Sequence, residues 1–494
     1  MLPLLATTVL MPLDLVRVDV PDHPDAVATS RLGSMLEAPP TDGTPWRPAP
    51  VPAVDQYRAD EAIEALGAQA WHDAGWDGTG IKIAVFDLQW FQVELRANTL
   101  GEDTLANTHD CYGHRSCDLP IDTIRPTYRF ESGGHGIACA EVIHSIAPGA
   151  ELHLVRVNGL TTLENAVDWS IREGIDIVSM SMSFFSESFY DGTGAVNAQV
   201  DELVAAEILL VTSAGNYANQ HYWAEFEDHN RDGLHDFEAE TQSLPIHLNK
   251  GTTTINLIWD DYLSCGATDL DGYIYNQEGN LVGMGRRTQS VGEKSCRPVE
   301  YISARAEESG THYLVVDRAA GTEHLRFDIL TRGGSVKSTI PARSVTDPGS
   351  HPGAFTVGAV RADGYRMNGA ESFSSHGPTH AGVDKPNIAG PDGLTTSIYG
   401  QRGFYGTSAA TPAVAAAIAL LMHEDPRLSP FEAARRLQAS ALDRDPVWAP
   451  DDTELGAGHA RLPSLRSEEA GCGRTLLLPA FLWLPLGWRR RARS

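Results

Sequence analysis

Two hydrophobic rhythms share this chain. From Ile81 to Asp87 the run Ile-Lys-Ile-Ala-Val-Phe-Asp is apolar and β-branched until it closes on an acid, the pattern of a strand buried on both faces. From His135 the apolar residues Ile137, Ala140, Val142, Ile143 and Ile146 fall mostly at helical spacing, and the helix they predict stops before Pro148. Glu151 to Val157 alternates and predicts a strand; Thr161-Thr162-Leu163-Glu164 reads as a capping box opening a helix that ends at Gly174. Ile175 to Met182 then reads as a strand, Thr193 to Ile208 as a helix and Leu209 to Ser213 as a strand. This βα alternation predicts an α/β fold with a parallel sheet covered by helices. In such sheets ligands gather at the carboxyl ends of the strands, where Asp87 stands.

After Asn216 the rhythm changes. Thr252 to Asp260, Gly272 to Asn276, Leu281 to Gly283, Tyr313 to Asp317 and Leu325 to Leu330 are short β-rich runs parted by Gly, Asn and Asp, at intervals that suggest a sandwich. Residues 221 to 339 therefore read as an inserted all-β domain. It divides a catalytic core into 61–220 and 340–465, with a leader, pro-segment or linker over 1–60 and a tail over 466–494. Its role is open between substrate capture, stabilisation and spacing.

Length and composition fit this division. The chain has 494 residues, too many for one ordinary domain, and its 42% hydrophobic content supplies a sizeable core. A formal charge of −27 disfavours nucleic acid or an anionic membrane as the main partner.

The chemistry concentrates in Gly406-Thr407-Ser408-Ala409-Ala410-Thr411-Pro412, a serine among small residues at the head of a long apolar helical run. Small neighbours let a substrate backbone approach, and a helix start offers free N–H groups where an oxyanion would form. Pro412 is taken as an early-turn proline. A serine nucleophile needs a base and an orienting acid. His135, between Gly134 and Gly136 at a helix start, and Asp87 supply them.

With Asp87, His135 and Ser408 in that order, the chain resembles the subtilisin-like serine peptidases, whose order of acid, base and nucleophile this is. The strand ending Ser213-Ala214-Gly215-Asn216 matches a further family motif, and Ile175 to Ser183, Phe355 to Val360 and Ser372 to Pro378 add to the likeness. The resemblance implies a subtilisin-like sheet, a protein or peptide substrate and an exported serine endopeptidase working through an acyl-enzyme. It also implies an oxyanion hole from the Asn216 amide and the Ser408 N–H, and substrate contacts along Ser181, Met182, Ser183, Ser213, Ala214 and Gly215. Competing readings are a non-catalytic surface binding protein on the same scaffold and an esterase with the same triad. Three departures bear on activity: Leu88-Gln89 replaces the hydroxyl residue and glycine that usually follow the acid, Ile137-Ala138 replaces Thr-His, and Ser183 replaces a glycine beside the specificity pocket.

Asp228, Asn230, Asp232, Leu234 through its carbonyl, and Asp236, with Gly233 at the sixth position, match a calcium loop lacking its final glutamate, since Ala239 occupies the twelfth. Structural Ca²⁺ is expected there, with a solvated acidic turn as the alternative. Asp260, Asp261, Asp269 and Asp271 read as solvated loops. Disulfides are expected between Cys111 and Cys117 and between Cys265 and Cys296, implying an oxidising compartment. Cys139 reads as a buried small residue. The tail, apolar from Leu476 to Trp488 after Cys472 and closed by arginines, is too short to span a bilayer. It resembles bacterial surface-sorting tails of myxobacterial type, so membrane anchoring through it and a secreted or cell-surface location are expected. Leu2 to Leu13 resembles the apolar part of a signal peptide, with no Lys or Arg ahead of it.

Overall fold

The computed structural model describes residues 57–465 except 92, 112–115, 122–132, 239–240, 263–266, 290–296, 322–324 and 443–452. The leader over 1–56, the tail, and the Cys265 and Cys296 pair lie outside the described residues. Five strands come first: β1 Lys82–Asp87, β2 Thr108–Asp110, β3 Glu151–Arg156, β4 Ile177–Met180 and β5 Leu209–Ser213. The insert holds β6 His221–Glu225, β7 Leu244–Leu248, β8 Gly251–Trp259, β9 Asp269–Tyr275, β10 Leu281–Gly285, β11 Val299–Ala306, β12 Gly310–Ala320, β13 Arg326–Arg332 and β14 Gly334–Val336. The chain then returns with β15 Phe355–Arg361 and β16 Ile388–Asp392, and closes with a hairpin of β17 Leu394–Thr396 and β18 Gly400–Phe404.

The first sheet has seven strands in the order β16-β15-β5-β4-β1-β3-β2, every neighbouring pair parallel, as the βα alternation requires. β4, β5 and β16 are buried at every position, the signature of strands covered on both faces. The helix Thr407–Glu424 is buried along nearly its whole length, so it is apolar all round and not amphipathic. Two element readings shift in detail. The 160s helix runs Leu160–Glu173 with Gly159 as N-cap, and the Thr162 hydroxyl, not Thr161, accepts the Gly159 N–H. The helix placed at 193–208 spans Gly194–Ala205, with Thr193 and Ala206 as its caps and Glu207 and Ile208 beyond it.

The insert is one antiparallel sheet of nine strands, β14-β7-β12-β9-β10-β11-β8-β13-β6, around a core that includes Trp259, Ile274, Ile302 and Phe327. Each such side chain removed from water contributes about 1.5–3 kcal/mol. β11 shows strict alternation, with Ile302, Ala304 and Ala306 inward and Tyr301, Ser303 and Arg305 outward. The sheet curls until its ends approach, Val336 N–H reaching the Asn219 carbonyl at 3.3 Å beside β6. The two-layered character expected of a sandwich is thus reached by one nearly closed sheet. Its acids are not all in solvated loops, contrary to expectation: Asp260 pairs with Arg326 at 2.8 Å, and Asp261 and Asp269 are buried. A buried carboxylate against the catalytic part of the chain, Asp328, takes the His380 Nε2–H at 2.8 Å and lies 3.4 Å from His221 Nε2.

Candidate active site

Asp87 ends β1 and is 2% exposed. Its Oδ2 meets His135 Nδ1 at 2.6 Å. Its Oδ1 accepts the Leu88 N–H at 2.8 Å and the Gln89 N–H at 2.9 Å. The hydroxyl missing from position 88 is therefore replaced by two backbone donors, and the carboxylate is held at both oxygens. The His135 helix can approach this closely because residue 136 is glycine. A Cβ there would lie 2.7 Å from Asp87 Cβ and 2.8 Å from the Trp90 ring. Ile137 and Ala138, which cannot donate, are fully buried in the helix packing.

Burial pushes the His135 imidazole down, but the charge of Asp87, the Cys139 sulfur and the hydrogen bond to Asp87 outweigh it, and His135 ends well above the ordinary histidine value. The Phe404 ring presents itself edge-on to the imidazole at 5.6 Å.

Ser408 is the second residue of its helix, behind Gly406 at φ 107°. Pro412 is the sixth helical residue, beyond the first turn where proline costs nothing. Lacking an N–H, it leaves the Ser408 carbonyl without its helical donor. Two side chains supply the deficit: Ser181 Oγ donates to that carbonyl at 3.0 Å and Cys139 Sγ approaches it at 3.7 Å. Cys139 Sγ also lies 3.9 Å from His135 Nδ1. Asp87, His135 and Ser408, remote in sequence, are thus joined through a short chain of contacts. Ser181, expected along the substrate, touches the backbone of Ser408. Cys139 is buried and free, as expected. Asp87, His135 and Cys139 place one ligand atom each within 4.8 Å of one another, a set able to hold a metal ion.

Asn216 follows β5 and turns its amide toward Gly406. Its Oδ1 accepts the Thr407 N–H at 2.9 Å and the Thr407 hydroxyl at 3.0 Å, so the Nδ2 end is left to donate elsewhere. A Cβ on Gly406 would sit 3.0 Å from that Nδ2. Thr407 Oγ1 also accepts the Gly215 N–H at 3.3 Å. Thr407 was visible in the serine motif, but its hold on Asn216 was not. Ala214 N–H pairs with Val357 O at 2.9 Å, continuing the sheet, and Ser213 is buried at the end of β5. Ser183 Oγ accepts the Thr346 hydroxyl at 2.9 Å, and the backbone of Phe184 bridges to Asp347. Met182 packs half-buried against the core beneath.

The Asp228 loop is ordered by its own acids. Asp228 accepts the Asp232 and Gly233 N–H groups at 3.1 Å each and pairs with Arg318 at 3.2 Å. Asp232 Oδ1 accepts the Leu234 N–H at 3.0 Å and Asn230 Oδ1 the Asp232 N–H at 3.1 Å, while Asp236 holds His229. Cys111 and Cys117 form a disulfide, as expected.

A parallel α/β core that brings an acid, a histidine and a helix-start serine together defines a subtilisin-like peptidase fold. The model of the family described as "Subtilase family" matches residues 78–270 and 262–461, and the chain belongs to that family. It is 23% identical over 459 residues to the minor extracellular protease Vpr of Bacillus subtilis (strain 168), covering 82% of this chain and 53% of that protein. The chain thus spans about half the length of this curated relative. In fold it is similar to the Clostridium perfringens CspB protease, with TM-score 0.55 and 16% identity over 83% of this chain and 98% of that one. The MycP1 serine protease of the type VII (ESX-1) secretion system matches at TM-score 0.40 and 15% identity, over 84% and 89%.

Proposed function

We propose that the protein is an exported serine endopeptidase. His135 takes the proton of Ser408 Oγ, Ser408 attacks the peptide carbonyl, and Asp87 holds the imidazole and balances the charge it gains. The amide of Asn216 and the Ser408 N–H receive the developing oxyanion. The leaving amine takes the proton back from His135, and water repeats the sequence to free the acyl group. The observation that carries the reading is the 2.6 Å Asp87–His135 contact on the helix that also reaches the Ser408 carbonyl. Segments 181–183 and 213–215 would flank the substrate, with Ser183 and Thr346 narrowing the side-chain pocket. The division into 61–220 and 340–465 with an insert at 221–339 is supported by β15 returning to the first sheet beside β5.

Export is supported by the Cys111–Cys117 disulfide and by the extracellular protease to which the chain is similar. Among the described residues no helix is long and apolar enough to cross a membrane. A surface-sorting role for 466–494 rests on its sequence alone. Calcium at the Asp228 loop is supported by hard oxygen donors on Asp228, Asn230, Asp232 and Asp236 and opposed by the Arg318 cation on Asp228, so loop occupancy is tested by melting in EDTA and in Ca²⁺. Identical melts overturn it. The activity is tested by turnover of casein and of a short acyl ester by the parent and by Ser408→Ala. Peptide hydrolysis lost in the variant supports the reading, and ester turnover without casein cleavage overturns it.

A further inference from the structure

Glu141 lies on the His135–Ile146 helix, is 3% exposed, and takes no part in the proton transfers above. Its carboxylate faces the hairpin of β17 and β18. Ser397, in the turn of that hairpin, donates its N–H to Oε2 at 2.8 Å and its hydroxyl to Oε1 at 2.5 Å. One residue thus engages both oxygens of a buried acid. Such a fork fixes the position and the rotation of the turn, because charge-assisted hydrogen bonds are the strong ones and two of them define an orientation. A second acid, Glu61, accepts the Thr395 hydroxyl at 2.8 Å on the strand just before.

What this hairpin carries bears on His135. Ile398 packs on Gly134 so closely that a Cβ at Gly134 would lie 2.6 Å from Ile398 Cδ1. Phe404 meets the imidazole at right angles with centroids 5.6 Å apart, and Tyr399 stacks on Phe404 at 4.8 Å with the rings nearly parallel at 2°. The imidazole is therefore fixed at Nδ1 by Asp87 and confined at its ring by the hairpin. Glu141 joins the helix that begins with His135 to the turn that covers it.

We propose that Glu141 is a positioning residue for the reaction: by gripping Ser397 it keeps Ile398 and Phe404 against the start of the helix and so keeps the imidazole of His135 aimed at Ser408. The inference rests on the triad reading above. A carboxylate is required at this place. Ser397 N–H and Ser397 Oγ–H converge on it, whereas a glutamine would turn an NH₂ donor toward one of those donors. Burying the acid raises its pKa above the ordinary glutamate value, and the hydrogen bonds from Ser397 offset part of that cost.

The test uses the full chain, a short chromogenic peptide and four proteins: parent, Glu141→Gln, Ser397→Ala and the double variant. A misaimed base slows the chemical step and leaves substrate binding alone. Glu141→Gln should therefore lower kcat about tenfold with KM little changed. Ser397→Ala, the milder change and the one that serves if Glu141→Gln does not fold, should lower kcat in the same direction. The double variant should be no worse than Glu141→Gln within about twofold, because both changes break one contact. Variants that match the parent, losses confined to KM, or losses that multiply would each overturn the proposal. A parent that hydrolyses no peptide overturns the peptidase reading and this one with it; a parent that does so while both single variants equal it overturns this one alone.

Discussion

Asn216 gives the most direct handle on the proposed oxyanion site. Replacing it with alanine removes the Nδ2 donor and also the Oδ1 that accepts Thr407 N–H at 2.9 Å and Thr407 Oγ–H at 3.0 Å. The two losses have different consequences. Removing one preorganised donor from a developing oxyanion lowers kcat by about 10²–10³, or roughly 2.7–4 kcal/mol of barrier, with little effect on KM because the charge exists only in the transition state. Leaving the Thr407 donors unpaired costs stability, about 1–3 kcal/mol for a buried group. Asn216→Asp separates them: its carboxylate still accepts from Thr407 but offers no donor. Initial rates on a chromogenic peptide together with thermal melts of parent, Asn216→Ala and Asn216→Asp read both effects. Asn216→Ala should be slow and melt lower; Asn216→Asp should recover most of the melting temperature and stay slow. A kcat for Asn216→Ala within about threefold of the parent, or a recovered kcat in Asn216→Asp, refutes the assignment.

Since His135 must be neutral to accept a proton and its pKa is raised, kcat/KM should climb with pH through an inflection above the ordinary value of about 6.5. An inflection at or below about 6 contradicts this balance of burial and charge. Lys385 is 1% exposed, donates to two neutral acceptors, Ala354 O at 2.6 Å and Asn387 Oδ1 at 2.9 Å, and is pulled by burial to about 7. The unfolded chain then binds the extra proton between about pH 7 and 10, so stability rises with pH across that window, and Lys385→Met should flatten the rise in urea melts. Burial raises Asp347 to about 6 against hydrogen bonds from Ser188, Ser350 and Asn197. Its stabilising contribution is full below its unfolded value of 3.8 and is lost as pH rises through about 6, a slope that Asp347→Asn should remove. Replacing Cys111 and Cys117 with serine should cost about 2 kcal/mol in the same melts, the entropy of opening so short a loop.

The parts of this molecule legible in its sequence are those set by local pattern. The run from Ile81 to Asp87 reads as a buried strand because its apolar residues Ile83, Ala84, Val85 and Phe86 are consecutive and covered on both faces, and β5 falls on Leu209–Ser213 as read. Illegible features depend on partners far along the chain. Leu88-Gln89 offers the Asp87 carboxylate no hydroxyl, and its donors are the backbone N–H groups of Leu88 and Gln89, which side-chain identity does not reveal. Pro412 passed as an early-turn proline, and only the structure shows that its missing N–H is answered by Ser181, some 227 residues away. In the insert, the sequence alternates only from Ile302 to Ala306, too short a run to mark β11, while the curling of nine strands into one nearly closed sheet follows from pairings that no local window contains. The contact between Glu141 and Ser397 is illegible for the same reason, because nothing near Glu141 in sequence announces Ser397.

The proposed activity requires Ser408 to act as a nucleophile. A fluorophosphonate probe should label the folded protein once, peptide mapping should place the adduct on Ser408, and labelling should vanish in Ser408→Ala and slow sharply in His135→Ala. A folded parent that takes no label, or one labelled at another residue with Ser408→Ala still reactive, would contradict it.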